Sequence, residues 1–237
     1  MIPGPQLKLV DDASTGDLDA TAFVSCRGVS RTYGEGDAAT LALRPTDCTI
    51  GPGARIAMTG PSGSGKSTLL HLIAGLDEPT RGEVSWPALG ERSELLRGPI
   101  AMVFQGPSLL PPLSVLENVA LPRQLAGIGA AAAIAEARSA LALLGLEALA
   151  ESLPEEISGG QAQRVAVARV LASRPRLILA DEPTSQLDRE NGERVIDVLV
   201  AAADATGAAL LISTHDQAFA ERFPTRWTVA DGTVQTG

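Results

Sequence analysis

Residues Gly60-Pro-Ser-Gly-Ser-Gly-Lys-Ser-Thr68 follow an apolar, strand-like run from Arg55 to Thr59 and open a helical run from Leu69 to Ala74. Gly60, Gly65, Lys66 and Ser67 satisfy the pattern G-x-x-x-x-G-K-[ST], and the strand before and helix after distinguish a phosphate-binding loop from a bland Gly/Ser turn. A triphosphate concentrates negative charge and acceptor oxygens. Glycines let successive backbone N–H groups turn inward around it, and the following helix points its positive end at the same spot. Lys66 adds a mobile cation for the β- and γ-phosphates, and the Ser67 hydroxyl can ligate Mg²⁺. Pro61, Ser62, Gly63, Ser64 and Thr68 complete the expected cradle. The loop implies a nucleoside triphosphate.

The 237 residues, 45% hydrophobic and 20% charged, suffice for one large α/β domain with an ample core. A net charge of −9 argues against nucleic acid as the main partner, because phosphate backbones call for clustered Lys and Arg. The two cysteines, Cys26 and Cys48, each sit in a strand-like segment and read as buried thiols rather than a metal site or disulfide framework. No apolar run approaches the roughly 18 residues of a membrane-spanning helix. Met1 to Asp19 lacks the basic start and apolar centre of a signal peptide. Rich in Pro, Gly and Asp, it reads as a flexible tail over residues 1–20, ahead of one domain over 21–237. The expected setting is a reducing cytosol.

Further strand-like runs lie near Ala22 to Ser30, Thr40 to Ile50, Gly82 to Trp86 and Ile100 to Phe104. After the Pro-rich turn Pro107 to Pro112 the character becomes helical, with Ser114 and Glu117 spaced as a capping box and an Ala/Leu-rich stretch from Ala130 to Ala150. Arg176 to Ala180 is a continuous apolar run of the kind buried on both faces of a parallel sheet. A helix over Glu190 to Ala203, a strand over Ala208 to Ser213 and a final β pair near Trp227 to Val234 follow. This order predicts an α/β nucleotide-binding core interrupted by a helical insertion at about 106–172.

Leu177-Ile-Leu-Ala-Asp181-Glu182 places two carboxylates at the end of that buried strand. In phosphate-loop NTPases the first such acid holds Mg²⁺, and a neighbouring one polarises the attacking water. Adjacent strand residues point to opposite faces, so both acids serve one site only where the strand ends; Pro183 supplies that ending. Ser158-Gly-Gly-Gln161 has the spacing of a second capping box, yet a capping box does not need two glycines. Gly159 and Gly160 permit close approach to a helix N-terminus, itself an anion site, which suggests a second phosphate cradle that meets the first across a dimer. His215 follows an apolar strand, where a lone histidine is more often a structural hydrogen-bonder. His71 reads as a helix-face or core residue, and Tyr33 as an edge-strand residue or as a ring able to stack on a base.

Together, from about Ala22 onward, these motifs resemble the ATP-binding-cassette (ABC) ATPases. Gly60 to Thr68 is similar to the family's Walker A loop, Gln105 to its Q-loop glutamine, and Ile157-Ser-Gly-Gly-Gln161 to its signature motif, which usually begins with Leu. Asp181 and Glu182 resemble the Walker B aspartate and catalytic glutamate. Ser185-Gln-Leu-Asp188 resembles the D-loop, with Gln186 at a position commonly small or variable. His215 is similar to the switch histidine and Tyr33 to the adenine-stacking aromatic. The resemblance implies a RecA-like P-loop NTPase core with an antiparallel β segment and an inserted α-helical subdomain.

It also implies two copies sandwiching ATP between Lys66 of one and Ser158 and Gly160 of the other. Ser67, Gln105 and Asp181 would arrange Mg²⁺, Glu182 would act as general base, and His215 would hold the γ-phosphate. The expected partner is an integral-membrane permease, with the cassette peripheral on the cytoplasmic face and powering export or extraction of lipoprotein, peptide or drug-like cargo, or relaying force through a permease that moves no cargo. Gly75-Leu76-Asp77, Pro107-Ser-Leu-Leu-Pro111 and Leu113 to Pro122 resemble cassettes that serve permeases of the lipoprotein-releasing, macrolide-exporting and cell-division type. The alternatives are a soluble ABC protein without a transport partner and an unrelated phosphate-loop enzyme. Against the first stand the single cassette, the short insertion and the acidic balance. Against a GTPase, neither Asn118 nor Asn191 is followed by the Lys of a guanine-reading Asn-Lys-x-Asp.

Overall fold

The computed structural model describes residues 19–106 and 108–237, so most of the expected tail and Pro107 of the Pro-rich turn lie outside the described residues. Strand β1 (Val24–Tyr33) pairs antiparallel with β2 (Thr40–Ile50) and, on its other side, with β4 (Arg81–Ser85). A second sheet runs β5-β6-β7-β3-β8-β9, where β3 is Arg55–Thr59, β5 Ile100–Val103, β6 Leu177–Asp181, β7 Ala209–Thr214, β8 Thr225–Ala230 and β9 Thr233–Thr236. All pairings in it are parallel except β8 with β9. The Arg44 N–H donates to the Gly232 carbonyl at 2.8 Å, tying β2 to the β8–β9 turn and so one sheet to the other.

Strand β6 shows why an unbroken apolar run belongs in this sheet. Leu177 and Leu179 face one core, with Met58, Leu211 and helix α1 (Lys66–Ile73). Ile178 and Ala180 face the other, with Ile212, Val195 and Leu199 of α5 (Arg189–Thr206). The alternation is the period of two of a strand, and both faces are covered, so polar residues have no solvated side to occupy. Each fully buried Leu or Ile contributes roughly 2 kcal/mol of transfer free energy. Cys26 and Cys48 are the buried free thiols expected; they face each other in the β1–β2 register, and their mutual hydrogen bond and burial push the Cys26 thiol up.

Between β5 and β6 lie helices α2 (Val115–Leu125), α3 (Ala130–Leu143) and α4 (Gly159–Ser173), which pack on one another, α4 also touching β5 and α5. The capping box at Ser114 forms as expected: the Glu117 N–H donates to Ser114 Oγ at 3.2 Å and the Ser114 N–H to Glu117 Oε2 at 2.8 Å. The Ala/Leu-rich stretch is not one helix to Ala150. It stops at Leu143, where the Leu146 N–H turns back to the Leu141 carbonyl and the Gly145 N–H to Ala142. That is a Schellman cap with Gly145 in the left-handed position, and a short 3₁₀ turn, Glu147–Leu149, follows. A short helix α6 (Gln217–Ala220), capped by Asp216, was not foreseen.

Asn118 of α2, fully buried, holds the approach to this helical region. Its Nδ2 donates to the carbonyls of Leu110, Leu113 and Ser114, and its Oδ1 accepts the Leu110 N–H at 2.7 Å. Asn118→Ala should lower unfolding free energy by about 2 kcal/mol, because partly buried backbone groups of Leu110 and Leu113 lose their partner. A urea unfolding series would show this as a lower midpoint at unchanged slope.

Candidate functional site

The parallel register brings the motifs to one edge. Thr59 at the end of β3 lies beside Thr214 at the end of β7, and Asp181 at the end of β6 lies beside Ser213. Gly60, Glu182 and His215 therefore leave the sheet side by side, and Gln105 follows β5 along the same edge. This is the carboxyl end of a parallel sheet, where open α/β folds bind their ligands.

Two glycines of the phosphate loop leave no room for a side chain. A Cβ on Gly60, whose φ is +154°, would run into the Val229 carbonyl, and one on Gly65 (φ +109°) would lie 2.5 Å from the Ala42 carbonyl. Gly65 is also the N-cap of α1 and supplies no capping side chain, so the first N–H groups of α1 have no side-chain cap. Lys66 Nζ donates to the carbonyls of Gly60 and Pro61, each at 2.9 Å, and lies 3.9 Å from Glu182 Oε1. Ser64 Oγ is buried without a hydrogen-bond partner. A cleft of about 180 Å³ opens here, lined in part by Ser62, Gly63, Lys66, Ser67, Gln105 and Glu182. An uncapped helix end, a cation resting on carbonyls and an orphaned hydroxyl fit a polyanion.

The two acids diverge as the end of the strand requires. Asp181 is the last residue of β6 and is buried; Glu182 follows with φ +46°, a left-handed conformation uncommon outside glycine. The pre-proline position steers Glu182 away from the right-handed region. Ser213, fully buried on β7, ties the pair together: its hydroxyl donates to Asp181 Oδ1 at 2.6 Å and accepts the Glu182 N–H at 2.9 Å. The sequence reading places Ser213 only at the end of the strand before His215 and does not reveal this role. The signal is a hydroxyl at the end of an apolar run, just before Thr214 and His215. His215 Nδ1 lies 2.9 Å from Glu182 Oε2, which places the Nδ1 proton on that bond and leaves Nε2 free on an exposed ring.

Other expected site residues lie outside this cleft. Ser158 to Gln161 form their own capping box, the Gln161 N–H donating to Ser158 Oγ at 3.2 Å and the Ser158 N–H to Gln161 Oε1 at 2.7 Å. None of them lines the phosphate cleft. Within the chain the body that approaches the two glycines is residues 186–187: a Cβ on Gly159 would meet Gln186 Oε1 at 2.9 Å, and one on Gly160 the Gln186 carbonyl at 3.2 Å. Gln186 Nε2 also donates to the Gln105 carbonyl at 3.4 Å. Asp188 caps α5, accepting the Asn191 N–H and Nδ2, and the Asn191 N–H and side chain hold its carboxyl below the ordinary range. Tyr33 ends β1 and is 39% exposed. His71, the helix-face residue expected, is half-buried, with its ring 6.3 Å from that of Phe104.

Residues 43–185 match the ABC transporter family. The chain belongs to that family. It is an ABC ATPase cassette. It is 42% identical over 220 residues to lipoprotein-releasing system ATP-binding protein LolD 1 of Caulobacter vibrioides, covering 90% of this chain and 94% of that one. It is 40% identical over 213 residues to LolD 1 of Rhodospirillum rubrum, covering 87% and 94%. Among solved structures, a dimeric form of the bacterial ABC transporter cassette MJ0796 superposes with a TM-score of 0.83 at 35% identity, covering 90% of this chain and 98% of that one. A post-hydrolysis dimer of MJ0796 bound to ADP and Pi gives 0.82 at the same identity and coverage. The α/β cassette with antiparallel and parallel sheets is thus the fold expected.

Gly65→Ala should abolish nucleotide binding, because both the left-handed backbone and the Ala42 carbonyl oppose a Cβ. Gly63→Ala, at φ +75° with no atom within 4 Å of the new Cβ, should cost only the conformational strain of about 1 kcal/mol. Calorimetric titration with ATP separates the two.

Proposed function

We propose that this chain is the ATP-hydrolysing subunit of a membrane transporter that extracts or exports lipoproteins, and that it works as a homodimer on a separate permease. The observation that carries the reading is a divided site. Lys66 and Glu182 share one cleft, while Ser158 to Gln161 present a second helix N-terminus outside it. The LolD relatives carry the lipoprotein-releasing name, and the MJ0796 structures are dimeric. No described helix is long and apolar enough to cross a membrane; in this reading a separate permease does so, and the cassette sits on its cytoplasmic face.

In this mechanism Lys66 exchanges the Gly60 and Pro61 carbonyls for β- and γ-phosphate oxygens, and Ser64 Oγ gains the partner it lacks. Residues 60–68 cradle the phosphates and Tyr33 stacks on the adenine. Ser158, Gly159, Gly160 and Gln161 of a second copy close over the γ-phosphate, with Asp188 at the seam. Glu182 accepts the proton of the attacking water; a placed general base of this kind contributes about 10²–10⁴ in rate. His215 steadies Glu182 through Nδ1 and turns Nε2 toward the γ-phosphate.

Among the described residues no group of three or more His, Cys, Asp or Glu side chains is placed to hold a metal. Ser67, Gln105 and Asp181 would offer Mg²⁺ the few oxygen ligands that suit it. When bound, the ion supplies neutralisation of developing phosphate charge. Loss of the γ-phosphate releases the second copy. Gln105 and the helical subdomain, about 106–172, pass that opening to the permease.

Glu182→Gln should reduce hydrolysis at least ~100-fold while ATP binding persists, and light scattering should show an ATP-dependent dimer. Adding Ser158→Arg should return it to monomer. Unchanged hydrolysis by a monomeric Glu182→Gln protein would overturn this mechanism.

A further inference from the structure

Arg31 and Asp77 play no part in the mechanism above, yet they enclose Tyr33. The Arg31 guanidinium lies over one face of the Tyr33 ring, 4.6 Å from its centroid. The same guanidinium grips Asp77 with both arms, Nε to Oδ2 at 2.9 Å and the terminal nitrogen to Oδ1 at 2.8 Å. The Tyr33 hydroxyl donates to Asp77 Oδ2 at 2.9 Å. Ring face and ring tip are thus both held, and the exposed remainder of the ring is its open side.

Asp77 is in turn anchored to α1. It lies on the turn that closes that helix, where the Leu76 and Asp77 N–H groups both donate to the His71 carbonyl, at 2.9 and 3.3 Å. The first residue of α1 is Lys66. One helix therefore carries the phosphate lysine at its start and the tether of the aromatic ring at its end. On the other side, Tyr33 pairs with Thr40 on β2, two residues before Ala42, which lines the phosphate cleft. Burial raises the Asp77 carboxyl, but the Glu78 N–H, the Tyr33 hydroxyl and Arg31 together hold it below its ordinary range, so it stays an acceptor.

We propose that Asp77, with Arg31, is the positioning residue for base recognition: the pair clamps Tyr33 so that one ring face meets the adenine at a fixed offset from the phosphate loop. This rests on the reading of Tyr33 as the adenine-stacking residue. Such pre-organisation spares the ordering cost that a free side chain meets on binding. Arg31 contributes through the ring as well, since a cation over one face of an aromatic is attracted to it.

The test compares ADP, which has the base, with tripolyphosphate, which lacks it, by calorimetric titration. Tyr33→Ala should weaken ADP about tenfold, the scale of one base–aromatic stack. Asp77→Ala and Tyr33→Phe should each weaken it about threefold, leave tripolyphosphate affinity unchanged and raise KM for ATP. In the Tyr33→Ala background, Asp77→Ala should add nothing.

Should Tyr33→Ala weaken ADP while Asp77→Ala and Tyr33→Phe do not, the clamp is wrong and the stacking reading stands. Should Tyr33→Ala itself leave ADP affinity unchanged, the stacking reading falls and takes the clamp with it. Equal losses for ADP and tripolyphosphate, or further loss in the Tyr33→Ala background, would show Asp77 acting on the fold instead and overturn the inference. Tyr33→Phe, a loss of one hydroxyl, keeps the test open if Asp77→Ala does not fold.

Discussion

The parallel pairing of β3, β7 and β6 is the constraint on which the rest depends. A one-residue slip in that register would send Leu177 and Leu179 to the face now occupied by Ile178 and Ala180, breaking two cores at once. The register that hydrophobic burial enforces is the same register that sets Gly60, Glu182 and His215 side by side. Packing thereby does the placing, and the loops after each strand need only turn the right way.

The turns are where local rules are broken. Gly60 and Gly65 take backbone that no other residue tolerates at such close approach, and Glu182 takes left-handed backbone without being glycine. Strain of this kind persists where the surroundings over-determine it. For Glu182 the surroundings are identifiable. Ser213 accepts its N–H, Asp181 is fixed by the same hydroxyl, and His215 holds its carboxylate. The Glu182 carboxylate is aimed by its neighbours rather than by its own backbone preference.

Features with short-range signals were legible in the sequence. The phosphate loop carries its context in adjacent residues, β2 and β3 were bounded as found, and the Ser114 and Ser158 capping boxes formed as their spacing implied. What escaped depends on contacts across the chain. Ser213 acquires its role only once β7 lies beside β6, and Asp77 meets Arg31 and Tyr33, 46 and 44 residues away, only through the fold. The run from Ala130 to Ala150 kept its apolar composition through Gly145, so composition concealed a break that one backbone conformation imposes. The two glycines of the Ser158 motif were read as room for another molecule, whereas in this chain they first make room for Gln186.

The central claim is that each cleft is half of a site, completed by a second copy. ATPase activity per mole of protein, measured across a dilution series at saturating ATP, tests it most directly. The account predicts specific activity that rises with protein concentration and levels off once the dimer is populated. Specific activity independent of concentration, in protein shown to be monomeric throughout, would contradict it.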